Sequence, residues 1–145
     1  MEVRKLLVCV DGSRASLEAA RVGIELAAGW HSEVRAVYVV ETSDADGLPD
    51  PALIARLRES GRAILERIVE IGAEKGVKVV QETLEGEPFD AILGVAKTWH
   101  ADMIVMGRTG RTGPGRALLG SAAERVLEFT EQPVLIVPTL EPATR

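Results

Sequence analysis

The sequence predicts an α/β protein, a single doubly wound domain over residues 1–145 with a mostly parallel sheet covered by helices on both faces. Three observations lead there. Strand-length apolar runs alternate five times with stretches of helical periodicity, and the connections between them are short. No repeat or low-complexity linker interrupts the alternation. A chain of 145 residues, 46% of them apolar, can bury one core of ordinary size.

Leu6 to Val10 is a fully apolar run ended by Asp11-Gly12-Ser13, which reads as a strand buried on both faces and its exit turn. Ser13 is placed to cap the next helix, about Arg14 to Ala28, where Leu17, Ala20, Ile24 and Ala27 recur at helical spacing and Gly29 stops the pattern. Glu33 to Val40 alternates before turning apolar and is strand two. A polar loop, Glu41 to Pro49, leads to Asp50 as N-cap and Pro51 at the first helical position. In the long helix that follows, Leu53, Leu57, Gly61, Ile64, Ile68 and Ile71 mark the expected buried face, and Glu74-Lys-Gly76 ends it.

Val77 to Leu84, more polar, suits a strand toward the sheet edge. Gly86-Glu87-Pro88 opens a helix carrying Ile92, Leu93, Val95 and Ala96 that ends near His100. Met103 to Met106 is strand four, as apolar as strand one and so central. Ser121-Ala-Ala-Glu124 matches the capping box, which starts the last helix at about Ala122, and Val134 to Val137 forms a fifth strand between Pro133 and Pro138. Strands one and four are the best neighbours across the point where strand order reverses; their carboxyl ends are Asp11 and Gly107.

A net charge of −5 and a pI near 5.1 argue against nucleic acid, which demands a broad basic face. The one cysteine, Cys9, excludes an internal disulfide framework and reads as a small core hydrophobe. With no apolar run near the roughly 20 residues of a membrane span and no leader pattern, the expectation is a cytoplasmic protein without a membrane partner.

One stretch departs from the acidic background. From Met103 to Ala123 there are three arginines, Arg108, Arg111 and Arg116, and no acid. Gly107, Gly110, Gly113 and Gly115 fall within nine residues, so backbone amides can approach a ligand closely. The connection exceeds the usual βα loop of about 2 to 6 residues, and such long loops are usually functional. With the amides of Gly120, Ser121 and Ala122 at a helix N-terminus, it reads as a phosphate pocket, to which the arginines can add guanidinium forks.

Gly110 to Ala117 has Walker A glycine spacing but holds Arg116 and Ala117 where lysine and a hydroxyl are required, and no dinucleotide fingerprint follows strand one. Asp11 suits ribose hydroxyls or a phosphate-bound metal, and equally a turn; residue type alone does not separate the two. His31 and His100 read as C-terminal caps, Trp30 and Trp99 as packing anchors, and no residues show metal-ligand or serine-hydrolase spacing.

Taken together these motifs resemble the universal stress protein family. Gly107-x2-Gly110-x9-Gly120-Ser121 reproduces its nucleotide-loop pattern Gly-x2-Gly-x9-Gly-Ser/Thr. Asp102-Met-Ile-Val-Met-Gly107, Val10-Asp-Gly-Ser13, Gly86-x-Pro88 and Pro133-Val-Leu-Ile-Val137 are similar as well. The resemblance implies a five-stranded sheet of order 3-2-1-4-5 and the branch that binds ATP. It implies Asp11 near the ribose, the Val39 backbone against adenine, Gly107 and Gly110 bordering ribose and phosphates, and Gly120, Ser121 and Ala122 holding the phosphate tail; Mg²⁺ is the expected counterion of the bound ATP. Arg108 stands where the family commonly has small or polar residues. The resemblance also implies a homodimer through the last strand, Val134 to Val137, which would cover an otherwise open edge. The leading expectation is thus an ATP-binding regulatory protein; a slow ATPase and a ligand-free dimeric interaction module are the alternatives.

Overall fold

The apolar run Leu6 to Val10, buried at every residue, lies at the centre of a five-stranded parallel sheet. The computed structural model describes residues 1–42, 50–109 and 119–139. In chain order the elements are β1 (Lys5–Val10), α1 (Arg14–Trp30), β2 (Glu33–Val40), α2 (Pro51–Glu74), β3 (Val79–Glu85), α3 (Pro88–Thr98), β4 (Met103–Gly107), α4 (Ser121–Phe129) and β5 (Val134–Val137). The sheet order is β3-β2-β1-β4-β5, as the resemblance implied, with every pairing parallel. β1 and β4 are neighbours, Leu7 facing Ile104.

Alternation along β1 sends successive side chains to opposite faces. Leu6, Val8 and Val10 join Ala20 and Ile24 of α1 and Leu65 and Ile68 of α2 on one face. Leu7 and Cys9 join Ile92 and Ala96 of α3 and Ala123 and Val126 of α4 on the other. Each fully buried large apolar side chain contributes about 1.5–3 kcal/mol. α2 is therefore anchored by its second half, where Leu65, Ile68 and Ile71 are buried; Leu53, expected on the buried face, is exposed. Gly61 lets α2 lie directly on the ring of Tyr38, which is itself fully buried.

Helix ends explain most departures from expectation. Ser13 caps α1, its Oγ accepting the Ser16 amide at 3.1 Å, and Asp50 caps α2, its Oδ1 accepting the Ala52 amide at 3.0 Å. α1 does not stop at Gly29. It runs to Trp30 and closes at His31, in left-handed conformation at φ 59°, whose N–H donates to the Ala27 carbonyl. Trp30 is thereby carried into solvent rather than serving as a packing anchor. His100, at φ 61°, closes α3 in the same way: its N–H donates to Lys97 O, and the Ala101 N–H to Ala96 O. β3 begins at Val79, two residues later than expected, and is an edge strand with a largely exposed outer face.

Candidate functional site

Because β1 exits toward α1 on one face and β4 toward α4 on the other, the two connections diverge and leave a crevice at the carboxyl ends of the strands. A cavity of about 340 Å³ occupies it. Cys9, Val10 and Asp11 of the central strand and its exit form the floor together with Met106 and Gly107. Val37 and Val39 continue the apolar wall along β2, faced by Pro88 and Ile92 of α3, and Gly120 to Ala123 close the far end.

Asp11 is fixed by a local network. Its Oδ1 accepts the Ser13 amide at 2.9 Å, its N–H donates to Ser16 Oγ at 3.2 Å, and that hydroxyl donates to the Ser13 carbonyl at 3.0 Å. Gly12 completes the turn at φ 88°, a conformation that favours glycine. Asp11 thus shapes the turn and lines the cavity at once. For Val39 the strand alternation is informative: the Gly86 N–H donates to Val40 O, so the Val40 peptide faces β3 and the Val39 peptide faces the other way, toward β1. β1 ends at Val10, paired with Tyr38, one residue short of Val39.

Gly107 lies at the floor for a reason the sequence did not disclose. A Cβ there would stand 2.7 Å from the Ala15 carbonyl carbon and 2.8 Å from its oxygen, so glycine is needed for α1 to pack on β4. Arg108 donates its N–H to Val137 O at 2.9 Å and accepts the Gly120 N–H on its carbonyl at 2.7 Å, which brings the two ends of the loop together. Its side chain is exposed and does not line the cavity. Gly110, Arg111 and Arg116 lie outside the described residues, as does the Walker-like stretch 110–117.

The capping box is not formed. α4 begins at Ser121 rather than Ala122, with Gly120 as N-cap, no side-chain cap bond, and the Gly120 carbonyl accepting the Glu124 N–H at 2.9 Å. Gly120 fits this role because its extended backbone, φ −68° and ψ 157°, is that of any N-cap. The Gly120 amide is already spent on Arg108, a correction to the expected trio of donors. Ser121 and Ala122 keep first-turn amides that have no acceptor within the helix, and both residues line the cavity.

Three charged lining residues escaped the sequence reading: Glu41 after β2, Glu87 before α3, and Arg125 in α4. α3 also lacks a side-chain cap, so α3 and α4 start uncapped while α1 and α2 do not. Burial, and then the nearby Asp11 carboxylate, push the Cys9 thiol far above its ordinary pKa, so it is a neutral wall atom. Among the described residues no three His, Cys, Asp or Glu side chains gather as a metal site, and no helix is long and apolar enough to cross a membrane.

The universal stress protein family model matches residues 2–138. The chain belongs to the universal stress protein family. Universal stress protein MJ0531 of Methanocaldococcus jannaschii is 44% identical over 138 residues, spanning 92% of this chain and 81% of that one. Universal stress protein YxiE of Bacillus subtilis is 33% identical over 144 residues, covering 92% and 97%. Among solved structures, MJ0577 of M. jannaschii superposes with a TM-score of 0.80 at 24% identity, covering 98% of this chain and all of that one. A universal stress protein in complex with cAMP gives 0.75 at 24% identity, covering 94% and 98%, and one from Archaeoglobus fulgidus in complex with dAMP gives 0.69 at 22%, covering 94% and 99%. These likenesses extend the universal stress protein fold over nearly the whole chain.

Proposed function

We propose that this universal stress protein is a cytoplasmic ATP-binding regulatory protein that holds its nucleotide in the crevice between β1, β4 and the start of α4. The observation that carries this reading is the pairing, in one cavity, of an apolar slot beside the Val39 peptide with the open amides of Ser121 and Ala122 at a helix N-terminus. The adenine lies in the slot, Asp11 and Gly107 border the ribose, and the first turn of α4 receives phosphate. Gly110, Arg111 and Arg116, which fall between Gly107 and Gly120 in the sequence, are proposed as phosphate contacts on the strength of the family pattern and their charge. The complexes of relatives with cAMP and dAMP support an adenine nucleotide as the ligand class.

Mg²⁺ accompanies ATP, and its ligands come from phosphate oxygens and water, the usual habit of this ion, with Asp11 the carboxylate on the cavity floor. A second copy of the chain pairs with β5, whose Val134, Leu135 and Ile136 are only half-buried along an open sheet edge.

Calorimetric titration with MgATP tests the reading. Gly120→Val keeps an allowed backbone but fills the space before the Ser121 amide. Each charge-assisted hydrogen bond to phosphate is worth about 1.5–3 kcal/mol, so the variant should lose about tenfold or more in affinity while staying folded, its melting temperature falling by no more than the few degrees a poorer N-cap costs. Undiminished affinity in that variant would refute the loop and helix assignment.

A further inference from the structure

The described lining sets three carboxylates, Asp11, Glu41 and Glu87, against one cation, Arg125. Such a balance repels an anionic ligand unless the cation is well used. Arg125 stands one turn beyond Ser121 in α4, and Phe129 one turn beyond that, so the three share a helix face. Helical side chains lean toward the N-terminus of their helix, which runs the Arg125 stem back along the crevice wall toward the first turn.

The guanidinium is held without a carboxylate. Its central carbon lies 4.2 Å from the ring centroid of Phe89, the second residue of α3, and 5.8 Å from that of Phe129; the two rings stack at 6.1 Å and 28°. No ion pair to Arg125 occurs among the described residues. The Phe89 ring, the nearer of the two, restrains the guanidinium, and its N–H groups make no hydrogen bond among the described residues. Among the described residues this preorganised cation is spent on nothing except two exposed or half-exposed aromatic rings.

We infer that Arg125 recognises the outer phosphates of a nucleoside polyphosphate and makes the site discriminate a triphosphate tail from a monophosphate. The inference rests on the adenine-nucleotide reading of the same cavity. Two amides at the first turn suffice for one phosphate. A longer tail runs past them and brings further negative charge toward Glu87 and Glu41, which a full cation on that wall offsets. Arg125 reaches across to Phe89 of α3 and lines the same cavity as the two amides.

The test titrates the full chain with MgATP, AMP and cAMP, in the native protein and in Arg125→Gln and Arg125→Lys, with thermal melts of each. ATP affinity should fall about tenfold or more in Arg125→Gln, AMP and cAMP affinities should stay within about threefold, and Arg125→Lys should recover part of the loss. An equal fall for all three ligands would overturn the inference, since it would mean that the aromatic stack merely holds α3 against α4. Unchanged ATP affinity would overturn it too. Nucleotide binding by the native chain that is indifferent to Arg125 sinks this inference alone, whereas a native chain that binds no nucleotide sinks the adenine-nucleotide reading and this inference with it.

Discussion

Gly107→Ala separates packing from ligand contact at the cavity floor. The added Cβ would meet the Ala15 carbonyl carbon at 2.7 Å, its oxygen at 2.8 Å and its Cβ at 2.9 Å. Restoring ordinary contact requires β4 and the first turn of α1 to separate by about 0.7 Å. Neither side yields easily: Ala15 is backbone in a helix whose Ala19, Ala20 and Ile24 are completely buried, and β4 is paired on both edges. Overpacking of this kind costs about 1–3 kcal/mol, and the stiffer unfolded chain returns only about 0.4–1 kcal/mol. The net loss is about 1–2 kcal/mol, which for a chain of this size lowers Tm by roughly 3–8 °C. Urea denaturation and a thermal melt of the ligand-free protein read it directly. Because Asp11 and Ser16 belong to the displaced turn, nucleotide affinity should fall as well. A variant that melts like the native protein but no longer binds nucleotide would refute the packing argument and return Gly107 to a pure ligand role.

The same substitution should act with opposite signs at two helical glycines, Gly29 of α1 and Gly61 of α2. Gly29→Ala, with open space around it, should stabilise by about 1 kcal/mol, whereas Gly61→Ala meets the buried Tyr38 ring at 2.7 and 2.8 Å and should destabilise despite the same propensity gain; denaturant midpoints for the pair check this. Cys9 predicts a pH dependence: its folded pKa is raised, so its contribution is complete below about pH 9, where the unfolded thiol titrates, and is lost as pH rises further, at about 1.4 kcal/mol per pH unit. Urea midpoints from pH 8 to 11 for the native chain and Cys9→Ala should diverge in slope, and equal slopes would count against a buried neutral thiol.

What the sequence made legible was local or periodic. Ser13 and Asp50 could be read as caps because a cap bonds an amide two or three residues away. β1 and β4 declared themselves central because strands covered on both faces have no polar alternation. The start of α4 was misplaced by one residue, since Gly120 and Ser121 are both good N-caps and the choice is made by a distant contact, the Arg108 carbonyl on the Gly120 amide. Gly107 was assigned to ligand approach because its real neighbour, Ala15, is brought to it only by the packing of α1. Arg125, Glu41 and Glu87 come from three separate elements that meet at the crevice alone. The one sequence trace of Arg125 was its spacing of four from both Ser121 and Phe129.

The absence of a side-chain cap at Gly120 has a consequence for how this fold changes over time. Serine or aspartate there would add a few tenths of a kcal/mol from capping and about 0.4–1 kcal/mol from a less flexible unfolded chain, with no backbone strain at φ −68°. Selection for stability alone therefore pushes the position away from glycine, and only the need to leave the next two amides open for an anion pushes back. On the nucleotide-binding reading proposed above, a duplicated copy released from that ligand has every thermodynamic reason to drift to a self-capping residue. The identity of this single residue then records whether a given lineage still meets its ligand.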